Sequence, residues 1–136
     1  MGDKAQVRTQ HAGIRPMGVV SVYIGFDESD ETGEWVPQIW TVDPAGFVCG
    51  HFATAVGKKY VEASAYLEKR QKATPFDGLS EKDIAMIALS ALQNAMGTSV
   101  KASDVEMGRC RAASRAFERI PNSEVEEWLT AVAEAD

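Results

Sequence analysis

The chain has 136 residues, 45% hydrophobic and 25% charged, with a formal net charge of −6. That is the size of one globular domain with a real core, and the negative balance disfavours steering to nucleic acid. No apolar run approaches the ~18 residues of a membrane span, and "MGDKAQVRTQ" lacks the apolar stretch of a secretory leader and the Ser or Thr that myristoylation wants at position 6.

Residues 1–16 are polar. "MGVVSVYIGF", Met17–Phe26, is β-branched and almost continuously apolar, which predicts a strand buried on both faces, with Pro16 just ahead of it. "DESDETGE", Asp27–Glu34, is an acidic loop, and "WVPQIWTV", Trp35–Val42, is a second strand in which Pro37 demands an edge position or a bulge. Asp43-Pro44-Ala45-Gly46 has the chemistry of a tight turn, with Gly46 free to go left-handed. A third strand over Phe47–Val56 completes an antiparallel meander.

"KKYVEASAYLEKR" spaces Tyr60, Ala63, Ser64 and Leu67 as a helical stripe. After the break at "TPFDGL", Ser80 caps a second helix, with Asp83 where a capping box has Glu, and Gly97 stops it. Its expected inner face is Ile84, Ile87, Ala88, Ala91, Leu92 and Ala95, small enough in part to approach a sheet. "DVEMGRCRA", Asp104–Ala112, alternates as a strand with "RAFERI" as its hairpin partner. Ser123 and Glu126 form a capping box for a last helix striped by Val125, Trp128, Leu129 and Val132. Strands, two helices, strands and a helix make an α+β fold with an antiparallel sheet.

"DPAGFVCGHFATAVGKK" suggests a phosphate loop, but the spacing fails. The first glycine of a P-loop would fall on Phe52, Gly50 is two residues early, and Lys59 replaces the Ser or Thr. The small residues Gly50, Ala53, Ala55 and Gly57 suit close packing instead. Cys49 and His51 share a strand face at i, i+2, the spacing of a thiol and a base, but no third orienting group accompanies them. The two cysteines, Cys49 and Cys110, are expected as buried small hydrophobes in a reducing compartment. His11 and His51 are the only histidines, and no CxxC or HExxH accompanies them. The acidic loop lacks the ligand order of an EF-hand. Trp35, Trp40, Tyr60 and Tyr66 do not alternate with basic residues as a base-stacking platform would. The residues by themselves yield no active site.

Three stretches together resemble one family. "QVRTQHAGIRPMGVVSVYIGFD" is similar to the Gln-x-x-Thr-Gln, Arg-Pro-x-Gly and buried-strand pattern of proteasome subunits. "TVDPAGFVCGHFATAVGKKYVEASAYLEKR" resembles the alpha-type signature: Asp-Pro-[Ser/Ala]-Gly, a strand ending Ala-x-Ala-x-Gly, and a helix ending Leu-Glu-Lys. "SEVEEWLTAVAEAD" fits the family's last helix, and the nearest branch is alpha type-6, the alpha-1 position of the ring.

The resemblance implies a non-catalytic, structural member of the alpha ring of the 20S core, the proteolytic complex of the ubiquitin–proteasome system. It implies the four-layer αββα sandwich of N-terminal-nucleophile hydrolases and partnership with other alpha and beta subunits. Regulatory particles would be reached through the assembled ring, in cytoplasm and nucleus. No catalytic, cofactor-binding or metal-binding residue is carried over. Catalytic beta types have a Gly-Ser-Gly-like segment where this chain has Gly57-Lys58-Lys59, and Thr9, the first threonine, has no processing context.

Family alpha subunits are nearly twice this long, so residues 1–136 are expected to form the C-terminal part of a single domain. An internal start, a truncated gene model or a deliberate fragment would each give such a chain. A strand apolar on both faces would then lack part of its cover, and the isolated chain is expected to self-associate or to order beside its missing half. Two other readings are a hydrolase of the same superfamily with Cys49 or a threonine as nucleophile, and a free-standing binding paralogue.

Overall fold

The computed structural model describes residues 20–135. Thr9, His11, Pro16 and the start of the first expected strand, residues 17–19, lie outside the described residues. Two compact units are present: one runs to Phe52 and includes Cys110–Ala116, the other comprises Ala53–Arg109 and the chain from Phe117 onward.

The first unit is a meander of β1 (Ser21–Glu28), β2 (Trp35–Val42) and β3 (Val48–His51), in the order β1-β2-β3. Both pairs are antiparallel, with Ser21 opposite Val42 and Glu28 opposite Trp35 in one, and Ile39 opposite His51 in the other. The β1–β2 register is uniform from end to end, so Pro37 causes no bulge there. Pro37 sits instead where β2 has lost its neighbour on the far side, because β3 reaches only as far as Ile39. The sequence predicts β3 out to Val56. It stops at His51, and continuing it would pair Ala53 with Pro37, which has no N–H to give.

The turns follow their chemistry. Asp43 Oδ1 accepts from the N–H groups of Ala45 (2.9 Å) and Phe47 (3.0 Å), and Gly46 takes φ +89°. In the acidic loop, Ser29 donates to Glu34 O at 2.7 Å and Gly33 closes the turn at φ +70°.

The second unit holds α1 (Tyr60–Ala73), α2 (Glu81–Met96) and α3 (Asn122–Ala135), with a short 3₁₀ turn at Ala102–Asp104. It also holds most of the two-stranded sheet of β4 (Gly108–Cys110) and β5 (Phe117–Arg119). Its core is Ala85, Leu89, Val100, Val105, Ile120, Val125, Trp128 and Val132, with Met86, Ala102, Met107 and Leu129 packed against it. The stripe expected on the last helix is therefore the one that packs.

α2 keeps its expected ends: Ser80 Oγ accepts from the N–H of Asp83 at 3.2 Å, and Gly97 is left-handed at φ +72°. Its inner face is rotated from the expected one. Ile87, Ala91 and Ala95 are buried, but Ile84 and Leu92 are exposed while Leu89 is 1% exposed at the centre. The apolar positions of α2 spread over more than half of its circumference, so its periodicity does not choose a face. Contact with α1 and α3 does.

On α1, Tyr60 points to solvent, while Ala63, Ser64 and Leu67 are half-buried. The strand expected over Asp104–Ala112 shrinks to Gly108–Cys110 because Lys101–Val105 is taken by the 3₁₀ turn, where the N–H of Lys101 donates to Asp104 Oδ2. The last helix begins at Asn122, with Pro121 O accepting from Glu124 and Val125, so Ser123 lies inside it and not at its cap.

Candidate functional site

The meander sorts its side chains into two faces. Val22, Ile24, Phe26, Trp35, Pro37, Ile39, Thr41, Cys49 and His51 fall on one. Tyr23, Val36, Gln38, Trp40, Val42, Val48 and Gly50 fall on the other. Both faces are apolar, as the first strand suggests, but burial does not follow. Val42 alone in this sheet is fully buried; Val22, Tyr23, Ile24, Trp35, Val36, Trp40 and Val48 are exposed, Ile24 at 48%. A three-stranded sheet cannot hide two apolar faces by itself. This uncovered sheet is the most conspicuous surface of the described residues.

Two local contacts shape it. The Trp40 ring lies beside Gly50, where an added Cβ would meet it in ordinary contact at 3.5 Å. Arg115 stacks on Trp35 with its guanidinium carbon 4.1 Å from the ring centroid, itself in a left-handed turn at φ +53°. The sequence places Arg115 at the start of a strand. It lies in the turn before β5, and only Phe117–Arg119 are strand.

Cys49 and His51 share a face as expected, yet they form no dyad. His51 Nε2 lies 2.8 Å from Thr41 Oγ1, and the Cys49 thiol donates to Gly50 O at 3.6 Å. Both cysteines are free, but Cys49 is exposed and Cys110 half-buried. The expectation of buried thiols fails among the described residues, because Cys49 lies on a largely uncovered part of the meander and Cys110 on the short β4. Among the described residues no group of three or more His, Cys, Asp and Glu is placed to hold a metal ion, and no helix is long and apolar enough to cross a membrane.

Gly57-Lys58-Lys59 is a tight helix entry. Gly57 takes φ +95°, its carbonyl accepts from Tyr60, and Lys59 is left-handed at φ +63° as the N-cap of α1, with no side-chain cap. A shallow cavity of about 150 Å³ between α1 and α2 is lined by Arg70, Thr74, Leu79, Asp83, Met86 and Ile87.

The strongest electrostatic feature was not legible as a motif. Arg109, 15% exposed, donates through Nε to Glu118 and through Nη1 to Glu81 and Glu124, each at 2.7 Å. Glu81 and Glu124 stand in the first turns of α2 and α3, where the helix dipole favours a carboxylate. Arg109 therefore joins two helix N-termini to β5. The hydrogen bond to Glu118, with Glu124 and Glu81 beside it, lifts the guanidinium pKa further above its ordinary value, and partial burial opposes them only in part. The available signal was Arg109 on the same side of the alternation as Val105 and Met107.

Among its described residues the chain is α+β, with antiparallel strands, helices and an apolar meander whose side chains are largely exposed. The chain belongs to the proteasome subunit family: residues 1–110 match "Proteasome subunit". It is 54% identical over 96% of its length to proteasome subunit alpha type-1 of Trypanosoma brucei brucei. It is 34% identical over its whole length to a probable proteasome subunit alpha type-1 of Schizosaccharomyces pombe, and 32% identical to proteasome subunit alpha type-6 of Caenorhabditis elegans. These relatives are all alpha-type. The chain spans about half their length, 49%, 53% and 52% respectively.

Proposed function

We propose that this chain acts as a non-catalytic structural component of a 20S proteasome alpha ring, in cytoplasm and nucleus. Its partners there are other alpha and beta subunits, with regulatory particles reached through the ring. The observation that carries the reading is the 54% identity to an alpha-type subunit across 96% of the chain. The uncovered sheet agrees with it, since an apolar surface of this kind belongs in a larger assembly.

The test is native mass spectrometry of the tagged protein recovered from its own cells. Recovery in a large complex containing alpha and beta subunits supports the reading, and a lone small species overturns it. Cross-links to neighbouring subunits in that complex decide whether the position is that of alpha type-6. Labelling with electrophilic threonine and cysteine probes tests the absence of catalysis. Stoichiometric labelling that disappears on denaturation would show a nucleophile and overturn it.

A further inference from the structure

The turn between α1 and α2 carries a Thr-Pro pair, Thr74-Pro75, that the proposed function does not use. A proline crowds the residue before it out of the helical region, and Thr74 is extended at φ −147°, ψ 107° as the C-cap of α1. Both residues are exposed. Other groups fix the turn: the N–H of Phe76 donates to Gln71 Oε1 at 2.9 Å, and that of Leu79 donates to Phe76 O at 3.3 Å. The Thr74 hydroxyl makes no hydrogen bond among the described residues. An exposed, extended threonine with an unengaged hydroxyl, directly before a proline, is what a proline-directed protein kinase takes as substrate.

The cavity beside it holds a partner for an added phosphate. Arg70 and Thr74, four residues apart and so neighbours on one helix face, both line the cavity of about 150 Å³. The Arg70 side chain is exposed and forms no ion pair among the described residues. A phosphate brings up to about two negative charges and three acceptor oxygens, which a guanidinium pairs with well. The N-terminal turn of α2 favours an anion there, while the Asp83 carboxylate and the C-terminus of α1 oppose it. Arg70 is the one cation of this lining, so the phosphate is held on its side.

We propose that Thr74 is a phosphorylation site whose phosphate pairs with Arg70 at the α1–α2 turn. Thr74 Oγ1 attacks the γ-phosphorus of a nucleoside triphosphate held by the kinase. The new O–P bond forms as the bond to the bridging oxygen breaks, the nucleoside diphosphate leaves, and the hydroxyl proton passes to a base of the kinase. The site is independent of the ring assignment, because it rests on the turn alone.

The first experiment is mass spectrometry of the protein recovered from growing and starved cells with phosphatases inhibited. Trypsin releases residues 73–82, "ATPFDGLSEK", in which Thr74 and Ser80 are the only hydroxyl residues. Phosphate on Thr74 is expected; a peptide unmodified in both cultures, or modified on Ser80 alone, overturns the proposal. The second treats the purified chain with ATP and a proline-directed kinase and follows the phosphothreonine by phosphorus NMR. Arg70→Gln, an exposed change that circular dichroism checks for folding, should raise the phosphate's titration midpoint by at least about half a unit as the pairing cation is lost. An unchanged midpoint overturns the seat on Arg70, and a chain that the kinase leaves unmodified overturns the site itself.

Discussion

Arg109 Nη1 stands 2.7 Å from Glu124 Oε2, at the first turn of α3. The same nitrogen meets Glu81 at the first turn of α2, and Nε meets Glu118 on β5. One cation therefore offsets three carboxylates drawn from three elements.

Removing that cation should be costlier than removing an exposed arginine, because three clustered negative charges remain. Arg109→Met should lower the melting temperature more than Arg119→Met, whose pair with Glu106 is exposed on both sides. The sign with pH follows from linkage. A guanidinium held above its ordinary value contributes fully throughout the neutral and mildly alkaline range, so the native melting temperature should show no Arg109-dependent loss between about pH 6 and 10. The deficit of Arg109→Met should shrink as added salt screens the three carboxylates from one another. Thermal melts of both variants across pH and salt check this, and a deficit of Arg109→Met that is flat with salt would refute the charge argument.

The inner face of α2 gives a sharper stability test. Leu89→Ala removes a side chain that is 1% exposed and should cost about 2–5 kcal/mol. Ile84→Ala, expected from spacing to matter as much, removes a side chain that is 48% exposed and should cost about 0.5 kcal/mol or less. Urea midpoints for the two variants decide between the faces, and the reverse ranking would favour the face read from the sequence.

How much was legible depended on whether a residue's local chemistry fixed its outcome. Asp43, Gly46, Ser80 and Gly97 did what their side chains allow, and the turn and both ends of α2 fell where expected. The stripe Val125, Trp128 and Val132 was legible because α3 has a polar side to contrast with it. α2 has little such contrast, so its face was settled by neighbours. The burial of β1 was misjudged for a related reason. Sequence records which side chains want cover, and Val22 and Ile24 do, but not whether cover is at hand. The Arg109 cluster joins residues separated by 28, 15 and 9 positions, and no short motif spans that distance. Cys49 and His51 were correctly placed on one face. Their hydrogen bonds go elsewhere because Thr41 lies nearby on β2 and takes the ring.

Lys59 carries strain that a single change relieves. A left-handed conformation costs an L-residue about 1–2 kcal/mol, and Lys59 has no capping hydrogen bond to offset it. Lys59→Gly should raise stability by about 0.5–1 kcal/mol, part of the relief being lost to the freer unfolded chain. Gly57→Ala, at φ +95°, should lower it by about 1–2 kcal/mol. Denaturant titrations of both test the helix entry, and a destabilised Lys59→Gly would mean that the lysine side chain holds a contact stronger than the backbone strain.

Gly108 and Phe117 offer the last test, because the ring of Phe117 occupies the space a Cβ on Gly108 would fill. Phe117 is largely exposed, so the ring can swing aside without disturbing the core. Gly108→Ala should therefore cost about 1 kcal/mol or less, the scale of one cross-strand pair. In a Phe117→Ala background the same substitution should cost nearly nothing, since the obstacle is gone. A double-mutant cycle on thermal stability measures the difference. Equal penalties in the two backgrounds would show that the backbone of β4, and not the aromatic ring, requires glycine at this position.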